Sequence, residues 1–285
     1  MKIPKRLTPL IDDGLIDDVI CQLKSGKEAH VYTVRCGDAI RCAKVYKEAN
    51  QRSFKQAVQY QEGRTERNSR RARAMGKRTN FGQKESEEAW LSAEVDALYR
   101  LAAAGVRVPQ PYTFIDGVLL MELIAGEDGG AAPRLGDVAF SEEQALEFHG
   151  RIVREIVRML CAGLVHGDLS EFNVLVDETG PVIIDLPQAV NAAGNNNAKK
   201  MLIRDVKNMR DYFGSFAPTL LSSDYGQEVW HLYEGGNLQP DVELTGIYIE
   251  SQVDTDVGEV LTVIDAALEE ELDRRYREKV AGEAE

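Results

Sequence analysis

The 285-residue sequence predicts an α+β protein of two lobes, an antiparallel sheet with one main helix followed by a mostly helical half. Three observations carry that expectation. Short β-rich runs separated by turn residues crowd the first half of the chain. Apolar residues at helical spacing dominate after residue 140. Between two helical stretches lies a hairpin that brings three oxygen-bearing side chains to one edge.

In chain order, residues 7–18 carry apolar pairs at 10/11 and 15/16, which suit a short helix interrupted near Gly14 and capping the first lobe. Val19 to Leu23, Ala29 to Arg35 and Ala39 to Tyr46 read as strands of an antiparallel meander, with turns at Ser25-Gly26-Lys27-Glu28 and Cys36-Gly37-Asp38. The first turn suits phosphates through the Ser25 hydroxyl, backbone N–H groups and Lys27, although one glycine is a weak phosphate-loop signal and, taken alone, the turn reads better as a plain hairpin. Lys44 adds weight, because an inward lysine among apolar strand neighbours is costly unless paired.

Glu94 is the available partner. It lies in a helical run from Glu87 to Leu101 whose expected buried stripe is Trp90, Leu91, Leu98 and Leu101. Between Lys44 and that helix, residues 48–86 are polar and read as an insertion, helical or disordered. Within it Arg64, Arg67, Arg70, Arg71, Arg73, Lys77 and Arg78 face one acid, Glu66, so Arg64 to Arg78 carries +6 within a chain of net charge -13. Such a run suits RNA, a ribosomal particle or an acidic protein, and equally a solvated loop. The acidic remainder argues against a general nucleic-acid surface.

Strands are expected at Tyr112 to Ile115 and Val118 to Ile124, after which Gly126, Gly129 and Gly130 mark the lobe boundary. There the backbone of Glu122 and Ile124 is placed to meet an adenine edge. Ser141 with Gln144 three residues on forms a capping box. It opens a helix whose apolar face is Leu146, Ile152, Val153, Ile156, Val157 and Leu160, with Gly163 as its terminator.

The hairpin follows. Val174 to Val176 and Pro181 to Ile184 flank Asp177-Glu178-Thr179-Gly180. Before it stand His166, Asp168 and Asn173, and Asp185 ends its second strand. Asn173 and Asp185 oxygens suit a hard cation such as Mg²⁺, with Mn²⁺ as the alternative, and Asp168 is free to accept a hydroxyl proton. The spacing H-x-D-x-x-x-x-N followed by a strand-terminal Asp is that of the protein-kinase catalytic core, in which a strand lysine paired with a helix glutamate positions the ATP phosphates. A helix from about Ala198 contains Arg204, Asp205 and Asn208. Asp254 to Lys279 is amphipathic and acidic, and suits a helix packed on the lower lobe.

The start of the chain lacks a secretory apolar run, and no apolar stretch approaches a membrane span, so a cytoplasmic protein without membrane contact is expected. Cys21, Cys36, Cys42 and Cys161 show no metal-ligand spacing and read as reduced thiols.

Taken together, Ser25-Gly26-Lys27-Glu28-Ala29-His30-Val31-Tyr32, Ala43-Lys44-Val45-Tyr46, Ala104 to Pro111, Leu119 to Gly129, Leu164 to Asn173 and Ile183 to Val190 resemble the RIO family of atypical protein kinases. The likeness covers about residues 10–215 and is nearest to the type 1 branch, in a bacterial-like form. It implies a two-lobed protein-kinase-like fold and an ATP-dependent serine/threonine kinase or ATPase, in a family whose members often act in ribosome maturation. It also implies roles by position. Lys44 holds phosphate, Glu94 orients it, Glu122 and Ile124 bracket adenine, Asp168 is the base, and Asn173 with Asp185 hold the metal. The family's counterpart of Asp185 is thought to take phosphate transiently. Pro187, where the family more often has Ser, and Gly167, for a commoner Ala, depart from the pattern.

The expected division is 1–123 for the nucleotide-binding lobe, 124–229 for the catalytic lobe and 230–285 for a helical extension. Phosphoryl transfer to the protein itself or to a protein partner is the leading expectation. An ATPase switch acting on a ribosomal particle comes second, and a small-molecule kinase of the aminoglycoside or choline type third.

Overall fold

β1 (Asp18–Ser25), β2 (Ala29–Cys36) and β3 (Ala39–Tyr46) form the expected meander, and β4 (Pro111–Ile115) and β5 (Val118–Glu122) complete a five-stranded antiparallel sheet in the order β1-β2-β3-β5-β4. The computed structural model describes residues 3–26, 28–47, 80–127 and 129–249. Lys27, the basic run from Arg64 to Arg78, the amphipathic stretch Asp254 to Lys279 and the side chain of Trp90 lie outside the described residues.

Strand alternation gives the sheet two different faces. On the outer face Val19, Tyr32, Val34, Ala43, Val45, Val118 and Leu120 pack beneath Leu7, Leu10 and Ile16. Those three residues belong to a 3-10 turn, Lys5–Leu7, to α1 (Thr8–Asp12) and to the segment after it; Gly14, at φ 71°, ends the helix as expected. On the inner face Ala29, Tyr46 and Leu119 join the main core with Ala97, Leu98 and Leu101 of α2. That helix runs Asn80–Ala103 and so begins before Glu87 and inside the insertion read as 48–86.

β5 stops at Glu122, two residues before the predicted end. The Glu122 amide donates to the Gln110 carbonyl and the chain then turns into the short bridge Ala125↔Ala131, which ends the ladder.

The lower lobe is built on α3 (Glu142–Cys161). Its capping box is present: Gln144 N–H donates to Ser141 Oγ and the Ser141 N–H to Gln144 Oε1. Gly163, at φ 75°, follows the helix end. Of the expected apolar face, Leu146 is 41% exposed. The buried line runs Ala145, His149, Ile152, Ile156 and Leu160 in steps of three and four, and Leu146 falls at its edge.

β6 (Leu164–Val165) pairs with β9 (Val190–Asn191), and β7 (Val174–Asp177) with β8 (Gly180–Ile183), forming the predicted hairpin. Asp177 closes its turn by accepting from the N–H groups of Thr179 and Gly180. α4 (Ala198–Gly214) and α5 (Tyr225–Glu234) pack behind it. They cross so closely at Gly226 that a Cβ there would lie 3.2 Å from Ile203 Cα. The lobe boundary drawn at 229/230 falls inside α5, whose Val229 and Trp230 both belong to the main core. The described chain through Tyr248 forms one compact unit.

Candidate active site

β3 carries Ala43 and Val45 into the outer apolar cluster, so Lys44 and Tyr46 must point to the inner face. There Lys44 Nζ lies 2.6 Å from Glu94 Oε1 and 3.1 Å from Asp185 Oδ1. Glu94 is 4% exposed, a buried acid rather than a solvated helix charge. Burial alone would discharge Lys44, but Glu94, Tyr46 and Asp185 outweigh it and hold the ammonium well above the usual lysine range. The Tyr46 ring lies beneath the ammonium, 5.4 Å from Nζ to centroid. Sequence reading placed Tyr46 in the strand without this role.

Asp185 is reached by β8 and adopts φ 67°, a left-handed conformation that non-glycine residues seldom take and that clusters at functional sites. Lys44 first, then Lys24 and His166, hold its carboxyl below the usual range against the effect of burial.

Asp168 lies on the loop between β6 and β7, and the lower lobe pins that loop from several sides. Asp205 of α4, 1% exposed, accepts from Gly167 N–H at 2.7 Å and Leu169 N–H at 3.2 Å. Asn208 donates to the Leu169 carbonyl, and Arg204 to the Gly167 carbonyl. Gly167 has φ 81°, a left-handed conformation that glycine adopts without strain. Burial pushes the Asp205 carboxyl up to about 7 against the two N–H groups that favour its charged form.

His166 is buried, and burial lowers its pKa. Its partners set the tautomer: Nε2–H donates to the Ile184 carbonyl at 3.2 Å, leaving Nδ1 to accept from Asp168 N–H at 3.3 Å. Gln188 Nε2 donates to Asp168 Oδ2 at 3.2 Å. Burial raises the Asp168 carboxyl and the nearby Asp185 charge adds to it, while His166 and Arg204 oppose.

Asn173 donates Nδ2 to the Asp168 carbonyl at 2.9 Å, so its Oδ1 is the atom left for a ligand. No group of three or more His, Cys, Asp or Glu side chains that could hold a metal occurs among the described residues. One carboxamide oxygen and one carboxylate therefore fit a cation that takes its remaining ligands from phosphate and water, as Mg²⁺ does.

At the hinge, the Glu122 carboxylate is gripped by Arg107 at 2.9 and 3.1 Å, and the same guanidinium reaches Asp177 of the hairpin at 2.5 Å. Arg107 is welded to the lower lobe by its backbone: its N–H donates to Glu155 and its carbonyl accepts from Ile183 N–H. The carbonyl of Ile124 is engaged by Ala132 N–H.

Ser25 pairs across the sheet with His30, and His30 with Val45, the row of the outer face. Its neighbour Lys24 pairs with Val31, and Val31 with Lys44, the row of the cleft face. The residue that this turn aims into the cleft is therefore Lys24, which sequence reading did not single out.

The RIO domain family matches residues 30–225. Over 208 residues the chain is 36% identical to the RIO-type serine/threonine-protein kinase Rio1 of Haloferax volcanii, covering 72% of this chain and 66% of the relative. It is 32% identical over 193 residues to the protein of the same name from Methanocaldococcus jannaschii, 67% and 61% of the two chains. Identity to the serine/threonine-protein kinase RIO1 of Homo sapiens is 32% over 209 residues, 73% and 35%. The chain thus spans slightly under two thirds of the archaeal relatives and about a third of the human one.

Proposed function

Because the chain belongs to the RIO domain family, we propose that it is a serine/threonine protein kinase that uses Mg·ATP to phosphorylate itself or a protein partner. The observation that supports this most is the convergence of Lys44, Glu94 and Asp185 from three different elements on one point, beside a loop that presents Asp168.

In this reading the Glu122 carbonyl and the Ile124 amide take the adenine edge. Lys44, held upright by Glu94 and Tyr46, takes phosphate oxygens. Asn173 Oδ1 and Asp185 would hold Mg²⁺, which when bound neutralises charge on the phosphates. Asp168 accepts the proton of the acceptor hydroxyl as that oxygen bonds to the γ-phosphorus. The bond from this phosphorus to the β,γ-bridging oxygen breaks and ADP leaves. Pinning by Asp205 and Gln188 keeps the carboxylate in place for in-line attack, which supplies positioning rather than covalent chemistry.

The test is the fate of γ-labelled phosphate in wild type, Asp168→Ala and Asp185→Asn. Acid-stable label on Ser or Thr, reduced on the order of 10²–10⁴-fold in Asp168→Ala, is the expected result. An unchanged rate in that variant would overturn the assignment. Free phosphate with a hydroxylamine-labile adduct, lost in Asp185→Asn, would point to an ATPase switch instead.

Among the described residues no helix is long and apolar enough to cross a membrane. We place the protein in the cytoplasm, with the basic run from Arg64 to Arg78 as its contact for RNA or a ribosomal particle. Deleting residues 64–78 should abolish such association and leave nucleotide binding intact.

A further inference from the structure

The segment that links Asp168 to Asn173 ends in a single 3-10 turn, Glu171–Asn173, closed by the Asn173 N–H donating to the Ser170 carbonyl at 2.9 Å. Such a turn has three residues, so its side chains leave the axis about 120° apart. Two of the three directions are occupied. Glu171 packs on the turn Leu135–Asp137, where a Cβ added to Gly136 would lie 3.2 Å from the Glu171 Cγ. Asn173 turns back to the Asp168 carbonyl at 2.9 Å. The third direction is left to Phe172, which stands 58% exposed.

A single exposed apolar side chain is ordinary on a protein surface, and position is what distinguishes this one. Among the described residues Phe172 is the one exposed phenylalanine, and no other large hydrophobic between Leu146 and Leu221 is exposed. The lower lobe gathers its other rings inward, with Phe148, Phe213 and Phe216 around Phe140. Leu169 and Val174, on either side of the turn, are fully buried, so the exposed ring rides on an anchored loop. Its neighbourhood is acidic, with Glu171 beside it, Asp137 in the turn that Glu171 packs on, and Asp168 at the start of the loop. That charge opposes a phosphate backbone and tolerates a polypeptide.

We propose that Phe172 is a specificity-determining residue, an apolar platform for the acceptor polypeptide that selects a Ser or Thr with an apolar side chain two or three residues away. The inference rests on the kinase reading given above. Phe172 directly precedes Asn173, and Asn173 is bonded to the residue that bears the base, which puts the ring on the rim an acceptor crosses to reach Asp168. From consecutive Cα spacings, that rim lies about 7–10 Å from a hydroxyl at Asp168, the span of two to three extended residues. An apolar acceptor side chain there removes itself and the ring from water, whereas an acidic one meets Glu171.

The test presents the full chain and γ-labelled Mg·ATP with positional peptide libraries built on one central Ser. At a position two or three residues from that Ser, wild type should take Leu, Phe or Met on the order of 10-fold better than Gly or Asp. In Phe172→Ser the preference should fall to about 2-fold or less, with KM for the Leu peptide raised on the order of 10-fold and kcat and the KM for ATP within about 2-fold. Phe172→Leu, which keeps an apolar surface, should retain most of the preference. Wild type that labels itself yet takes all peptides equally, or none, would overturn the platform and leave the kinase reading intact. So would a preference that survives Phe172→Ser, or a fall in kcat at unchanged KM, which would make Phe172 a support for Asn173. Weaker binding of a single-stranded oligonucleotide by Phe172→Ser, without the peptide effect, would give the ring to nucleic acid and overturn the platform as well. Wild type that labels neither itself nor any peptide would overturn the kinase reading itself.

Discussion

Within an apolar core that runs through both lobes, two polar contacts between them have opposite character. At the hinge, Arg107 reaches Glu122 through two hydrogen bonds and Asp177 through a third, and its backbone is bonded to Glu155 and Ile183. At the phosphate end the described junction between lobes is the contact of Lys44 with Asp185, at 3.1 Å, and Asp185 is 41% exposed there. The first joint is a fixed pivot, redundant and part-buried. The second is a single contact whose partners are the groups a nucleotide and its metal would claim. Stability is thus concentrated at one end of the cleft and chemistry at the other.

The sharpest way to separate the two ends is Asp185→Asn. Turnover should drop on the order of 10²–10³-fold, because a carboxylate placed to hold the charge-neutralising Mg²⁺ is lost. Yet urea unfolding should change by about 1 kcal/mol or less, the pair being solvent-screened. A large stability loss in this variant would erase the contrast.

His149 offers a probe of the lower lobe on which the pivot stands. It is 1% exposed against Phe213 and Tyr225, its Nε2 has no hydrogen-bond partner among the described residues, and burial first, with Arg210, lowers its pKa to about 4. A histidine depressed in the folded state stays neutral there while the unfolded chain binds a proton. Stability is then full above the unfolded value near 6.5 and is lost as pH falls toward 4. The loss should be about 3 kcal/mol. His149→Phe should flatten that slope in urea unfolding measured from pH 7 to 4.5, and a slope unchanged by the substitution would show another group to be responsible.

At the pivot itself, Arg107→Met should cost about 1–3 kcal/mol in unfolding, because Asp177 and Glu122 lose a shared charged donor. It should weaken ATP and ADP equally, since the hinge meets the base rather than the phosphates. Unequal weakening would mean that the two ends are mechanically coupled. The smallest effect belongs to Glu147→Gln, which breaks an exposed i,i+4 pair with Arg151 and should stay within about 0.5 kcal/mol.

Legibility in the sequence follows the same division between local and distant contacts. The hairpin from Val174 to Ile183, the capping box at Ser141 and the helix holding Glu94 are written in short-range patterns, and they occur where expected. The Lys44–Glu94 pair spans 50 residues and was still readable, because a lysine in an apolar strand demands a partner. Asp205 and Arg107 carry no such demand. An acid in a helix and an arginine in a loop are ordinary surface residues until tertiary packing buries their bonds to Gly167, Leu169 and Glu122. Lys24 was passed over for a different reason. Alternation decides which of two adjacent residues faces the cleft, and the register shifts in β1 obscure that alternation in the sequence.

The two-faced character of β3 sets a limit on how this chain can vary. Ala43 and Val45 belong to a dry layer under α1, and Lys44 and Tyr46 to the cleft. Exchanging one side chain for another of similar size leaves that division in place. Adding or removing one residue between the turn at Gly37 and Lys44 would rotate every later position by half a pleat and carry the ammonium in among Leu7, Leu10 and Ile16. In this strand spelling is negotiable and length is not, so homologous chains should accumulate substitutions here but not insertions or deletions.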